Sequence, residues 1–298
     1  MTNPTAVQKS RLMIASSMAI FGTIALFVRN IPVSSAEIAL YRAVMATLLL
    51  GGFFLLTGQR IDFRAIGREL PLLLLSGMAM GINWILLFEA YRYTTVSVAT
   101  LSYYFAPVIV TVACPILFKE KMGIKQWLCF LMSTLGIVLI TGIGDLSGRD
   151  THFTGIVFGL GAAVLYAFVV LLNKFIKGVA GIQRTFLQFA AAIVILAPYV
   201  LLTGGVNLQQ LDATGWLNLV IVGIVHSGLA YCLYFSALKD IPGQEAAILS
   251  YIDPLVAVAM SVFVLGEQLT VPQVLGGILI LGFTLLNEIK TENRGKTK

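Results

Sequence analysis

Leu101–Pro107 reads LSYYFAP, and Leu249–Pro254 reads LSYIDP. The second copy carries an acid, Asp253, where the first carries Ala106. A chain that repeats itself across this distance has two related halves. Sliding it by 147 positions keeps register over a long stretch: Gly81 meets Gly228, Phe88 meets Phe235, Tyr104 meets Tyr251, Pro107 meets Pro254, Glu120 meets Glu267 and Gln126 meets Gln273. The residues before this stretch match those of the second half at shifts of 144 to 146.

Composition says what the halves are made of. Of 298 residues, 58% are hydrophobic and 11% charged, with mean hydropathy +0.91. Soluble domains carry roughly a quarter charged residues, so this chain lacks the material for a water-facing surface. Its apolar runs are continuous, as in membrane helices, not alternating as in barrel strands. Ten spans are expected, over 11–29, 35–56, 69–91, 95–117, 125–143, 154–176, 184–203, 213–238, 244–265 and 271–289. The first follows Lys9 and Arg11 like a signal peptide, but the two-half symmetry needs it as a retained span.

With the N-terminus inside, sixteen Lys and Arg fall on inside segments and three (Arg29, Arg92, Arg149) outside. The positive-inside rule then puts both termini in the cytoplasm. The same bias accounts for the pI near 9.3 without a nucleic-acid partner. Cys114, Cys129 and Cys232 fall in spans and form no metal or disulfide spacing, so neither metal nor cofactor is expected. GMAMG (Gly77–Gly81) and GIVFG (Gly155–Gly159) are small-xxx-small patterns that let helices approach closely.

Five spans per half is an odd number, so the second half is inverted. The expected fold is all-α and integral to the membrane: ten helices in two inverted five-helix repeats around a central cavity. The repeats cover 1–143 and 154–289, followed by a cytoplasmic tail, 290–298. Inverted repeats with interrupted midplane helices are a common build for secondary transporters. Pro107 and Pro254 supply the interruptions, each freeing the carbonyl four residues back, at Tyr103 and Ser250.

The chain resembles the drug/metabolite transporter superfamily, in particular the EamA-type ten-helix exporters. The resemblance rests on AIFG (Ala19–Gly22), YR (Tyr41, Arg42), the mid-helix prolines, and the patterns KEKMGIKQWLCFLMSTLGIVLI and GEQLTVPQVLGGILILGFTLL. Lys119 stands where the family usually has a small residue before Glu120. The resemblance implies a bacterial inner-membrane protein that exports amino acids or other small metabolites.

Polar residues at membrane depth are the candidate chemistry, because a charge there is costly. Asp253 is the deepest acid. On a continuous helix Ser250 lies about 60° from it and Tyr251 about 160° away. By the repeat, Tyr103 and Ala106 then face the cavity and Tyr104 packs outward. Asn83, Trp84, Tyr103, Tyr166, His226, Tyr231, Ser250 and Asp253 are the candidate substrate contacts, with His226 read either as a core histidine satisfied by a hydrogen bond or as the partner of Asp253. An aromatic lining would suit a ring or a cation, and singly each residue could be packing alone. Arg42 and Glu89, at similar depth on adjacent spans, are expected to pair. Glu120 and Glu267 read as helix-end residues. The expected function is metabolite export by alternating access, with lipid bilayer and small-molecule substrate as partners and protons as a candidate coupling ion. A passive facilitator or a quaternary ammonium or drug transporter is the alternative within the class. A membrane-embedded lipid enzyme or a structural or receptor-like bundle lies outside it. The enzyme would need a nucleophile–base set that the spacing lacks.

Overall fold

The computed structural model describes residues 4–58, 63–118, 123–141, 151–176, 178–179, 181–238, 241 and 243–288. Glu120, Arg149 and the tail 290–298 lie outside them. The elements in chain order are α1 (Pro4–Gly22), α2 (Ile24–Val28), α3 (Ser35–Thr57), α4 (Phe63–Tyr93), α5 (Val96–Tyr103), α6 (Ala106–Phe118) and α7 (Ile124–Thr141). The second half follows with α8 (Thr151–Phe175), α9 (Gly181–Thr203), α10 (Ala213–Val220), a π-helical run (Ile221–Leu229), α11 (Ala230–Ala237), α12 (Gly243–Leu249), α13 (Ile252–Phe263) and α14 (Val271–Glu288). Among the described residues, seven helical segments are long and apolar enough to cross a bilayer, and three shorter apolar ones complete the ten spans. Thus α1–α2, α5–α6, α10–α11 and α12–α13 are each one span in pieces.

Helix packing follows a two-fold pattern. The second span packs on the seventh (α3 on α9), the fourth on the ninth (α5 on α13), and the fifth on the tenth (α7 on α14). The third packs on the sixth (α4 on α8), and its mirror, the first on the eighth, is also present (α1 on α11). At α7–α14 the contact is reciprocal. A Cβ on Gly136 would lie 2.7 Å from the Gly276 carbonyl oxygen, and one on Gly276 would lie 2.5 Å from that of Gly136. Neither position has room for a side chain. Gly77 and Gly81 press on α9 in the same way, and Gly155 and Gly159 press on the Thr94–Ser102 region, as the small-residue patterns predict.

Hydrogen bonds between loops and helix ends sort the ends into two faces. Arg11 pairs with Glu245, and Glu69 accepts from the N–H groups of Gly178 and Val179, on the face where α1 starts. On the far face Arg29 pairs with Glu267, Glu37 accepts from Asn207, and the Thr94 hydroxyl meets His152. The first half therefore starts on one face and the second, at His152, on the other. The repeats are inverted.

The broken spans have local causes. Ser34 caps α3 in a capping box with Glu37. The fourth span breaks at Tyr104–Phe105 and the ninth at Ser250–Tyr251. Pro107 and Pro254 sit in the first turns of the helices that resume, where a missing N–H is tolerated. The carbonyl of Ser250, expected to be free, accepts the Asp253 N–H at 3.3 Å.

Candidate functional site

The two breaks meet where the repeats meet. The Tyr104 hydroxyl donates to Asp253 Oδ2 at 2.7 Å, and the rings of Tyr104 and Tyr251 lie 6.4 Å apart. This corrects the expectation that Tyr104 packs outward. A rotation of about 100° per residue holds only along unbroken helix, and the break falls at Tyr104 itself, where ψ is 5°.

Aromatic rings surround this acid. Tyr103 lies 6.0 Å from Tyr104 and 5.4 Å from Tyr166. A second chain runs Trp84–Phe189–Tyr231–Phe21, with centroids 5.0 to 5.3 Å apart. This second chain also ends at the acid, because Gly22, next to Phe21, abuts the Asp253 carbonyl. Tyr166 shows that the cluster borders open space. On α8 the exposed residues Val157, Val164, Phe168 and Phe175 form one stripe, and Tyr166 lies about 180° from it. Tyr166 is nevertheless 41% exposed. That surface lies on the side of α8 opposite the outward stripe.

Other candidates are engaged elsewhere. Asn83 donates to the Ala162 carbonyl at 2.6 Å and ties α4 to α8. Ser250 donates back to Ala246 at 2.8 Å. His226 does not meet Asp253. Its Nε2 lies 3.0 Å from the Thr23 hydroxyl, its Nδ1 lies 3.2 Å from the Ile221 carbonyl, and its ring lies 5.1 Å from Phe27. The cause is the π-helical run, whose wide turn brings His226 over Ile221 and Ser227 over Val222, five residues back. A carbonyl accepts, so Nδ1 carries a proton. The Thr23 hydroxyl has one hydrogen and two acceptors, His226 Nε2 and the Ile20 carbonyl at 2.7 Å. A neutral ring takes that hydrogen, and a charged ring returns it to Ile20.

The expected Arg42–Glu89 pair is also corrected. Arg42 Nε donates to Ser227 Oγ at 2.8 Å, and its guanidinium lies 4.4 Å from the Trp84 ring centroid and 5.5 Å from that of Phe88. Glu89 instead faces Arg92, one turn along its own helix, at 3.8 Å. Depth alone suggested the pair, but Glu89 reaches the helix end while Arg42 turns inward.

Above the cluster, Arg29 forms a clasp. It pairs with Glu267 and donates to the carbonyls of Tyr91 at 2.8 Å and Thr94 at 2.6 Å. Glu267 also accepts from Val96 N–H at 2.9 Å and from the Ser261 hydroxyl. Gly266, at φ 66°, makes the left-handed turn that aims Glu267 inward. Sequence reasoning missed Tyr104, Tyr91, Phe189, Thr23, Ser227 and this clasp. The repeat of Tyr104 at Tyr251 and the Gly-Glu dipeptide were the available signals.

Comparison with known proteins agrees with this architecture. The model of the EamA-like transporter family matches residues 8–142 and again 153–288. The "Uncharacterized transporter YxxF" of Bacillus subtilis is 30% identical over 279 residues, covering 93% of this chain and 89% of that protein. An "Uncharacterized transporter" of Archaeoglobus fulgidus is 29% identical over 278 residues, covering 92% and 94%. A solved structure described only as "Crystal structure of protein" shares the fold, with TM-score 0.60 and 16% identity over 92% of this chain and 96% of that one. The chain belongs to the EamA-like transporter family of the drug/metabolite transporter superfamily and is a multi-pass membrane transporter.

Proposed function

We propose that the protein is a secondary transporter exporting a small metabolite such as an amino acid by alternating access. The observation that carries this reading is Asp253. It is held by Tyr104 at the meeting of two broken spans, beside a cluster of tyrosines of which Tyr166 is exposed on the inner side of its helix. A substrate ammonium beside Asp253 would replace the hydration the carboxylate lacks at membrane depth. The halves 1–143 and 154–289 would rock about this point. The Arg29–Glu267 clasp would hold one end shut and release when that end opens. By the charge bias both termini lie in the cytoplasm, and the family resemblance makes the membrane a bacterial inner membrane. Among the described residues no group of three His, Cys, Asp or Glu could hold a metal.

Protons are the proposed coupling ion, through Asp253 and through the His226–Thr23 contact at the α1–α2 break. The aromatic lining supports a second reading, passive movement of a quaternary ammonium. Transport in liposomes with and without a pH gradient, for wild type and Asp253→Asn, separates them. Coupled export predicts gradient-driven flux that Asp253→Asn abolishes. Wild-type flux indifferent to the gradient would refute coupling, and an Asp253→Asn variant with normal flux at every pH would make Asp253 structural.

A further inference from the structure

Arg42 is 4% exposed and sits in the body of α3. A buried cation normally brings its counter-charge with it. Among the described residues, no carboxylate pairs with this one. Its Nε is bonded to Ser227, but its two Nη nitrogens have no protein acceptor there. They are not sealed in either, for they are absent from the buried polar atoms that lack a partner. They therefore border accessible space.

The surroundings hold the guanidinium in one pose. Trp84 and Phe88 lie against it. Ser227 Oγ donates to the Val222 carbonyl at 2.9 Å, which leaves a lone pair for Arg42 Nε. The π-helical run is what brings Ser227 over Val222. The Nη edge is then a fixed fork, the geometry that takes a carboxylate with two parallel bonds. From Trp84 the ring chain runs through Phe189 and Tyr231 to Phe21, whose neighbour Gly22 abuts the Asp253 carbonyl, so the fork and the acid lie at two ends of one aromatic lining.

We infer that Arg42 is the carboxylate-recognising pole of the site, opposite an ammonium pole at Asp253, and that the substrate is a zwitterion with an apolar side chain. The inference rests on the transport reading above and adds the determinant of specificity. The missing counter-ion of Arg42 is the substrate itself.

The test uses three probes on one carbon skeleton: leucine, leucinamide without the carboxylate, and 4-methylpentanoate without the amine. The chain has three tryptophans, and Trp127 and Trp216 are exposed. Their replacement by Phe leaves Trp84, stacked on Arg42, as the fluorescent reporter. Leucine and 4-methylpentanoate should change Trp84 emission, and leucinamide should not. Arg42→Gln should abolish the response. Arg42→Lys, which keeps the charge but loses the fork, should weaken leucine binding at least tenfold. Asp253→Asn should weaken leucine binding and spare 4-methylpentanoate. Leucinamide binding as tightly as leucine, leucine binding kept within twofold in Arg42→Gln, or no leucine binding at millimolar concentration would each overturn the assignment. Liposome flux separates this failure from that of the transport reading: leucinamide carried and leucine not would leave the transporter standing and remove Arg42 from recognition.

Discussion

Two arginines in this molecule illustrate opposite uses of the same side chain. Arg29 is saturated. Its three nitrogens reach the Glu267 carboxylate and two carbonyls, and they join the first span to the ends of the third and ninth. Arg42 has one hydrogen bond and two ring faces. A saturated charge contributes to stability. An unsaturated one lowers stability and is retained for what it binds. The two sites should therefore respond to mutation in opposite ways.

The largest effect is expected at the clasp. Arg29→Ala leaves Glu267 partly buried without its cation and should cost about 3 kcal/mol, the lower end for one-sided loss of a buried pair. Adding Glu267→Gln should restore part of that loss. Denaturant unfolding in detergent measures both, and strictly additive losses would mean that the pair is not a unit. Next comes Gly22→Ala. A Cβ there would lie 2.5 Å from the Asp253 carbonyl oxygen and 2.7 Å from Val256 Cβ, so overpacking of about 1–3 kcal/mol is expected, with reduced flux. Gly282→Ala, with nothing within 4 Å, is the control and should stay within about 0.5 kcal/mol.

Arg42→Met sharpens the contrast. Without substrate it should change stability by less than about 1 kcal/mol, or raise it, because an apolar group replaces a poorly compensated charge. Flux should be lost. A loss of stability as large as that of Arg29→Ala would show that Arg42 is a structural cation. The smallest effect belongs to Glu89→Gln, since the Glu89–Arg92 contact is partly exposed at 3.8 Å and worth at most about 0.5 kcal/mol.

Much of the architecture was legible because it repeats. A shift of 147 aligns the two LSY segments and their prolines, and the structure places their breaks side by side. Asp253 was legible because an acid at membrane depth needs a reason. Its partner was not, because the helical wheel loses its phase at Tyr104, where the helix stops. Arg29 and Glu267 read as a loop charge and a helix-end acid, and nothing local in the sequence brings residues 238 positions apart into one clasp. Arg42 and Glu89 were joined by depth, a coordinate that leaves rotation about the helix axis undetermined. The π-helical run leaves no residue signature, since Ile221–Leu229 is an ordinary apolar segment with two glycines.

That run acts as a dislocation in the helical lattice. Along α10 and into the run, the outward residues Trp216, Leu217, Val220 and Ile224 recur at ordinary α-helical intervals. The next is Leu229, five residues on, while Ser227 and Gly228, where an α-helix would have turned outward, are buried. One surplus residue is thus absorbed, and the stripe stays in line past it. Removing one residue between Ile221 and Leu229 would relax the wide turns to α and leave the stripe in line. The span would keep its outer face and lose the offset that sets His226 over Ile221 and Ser227 over Val222. A one-residue deletion there should therefore spare folding while unseating the hydroxyl that holds Arg42.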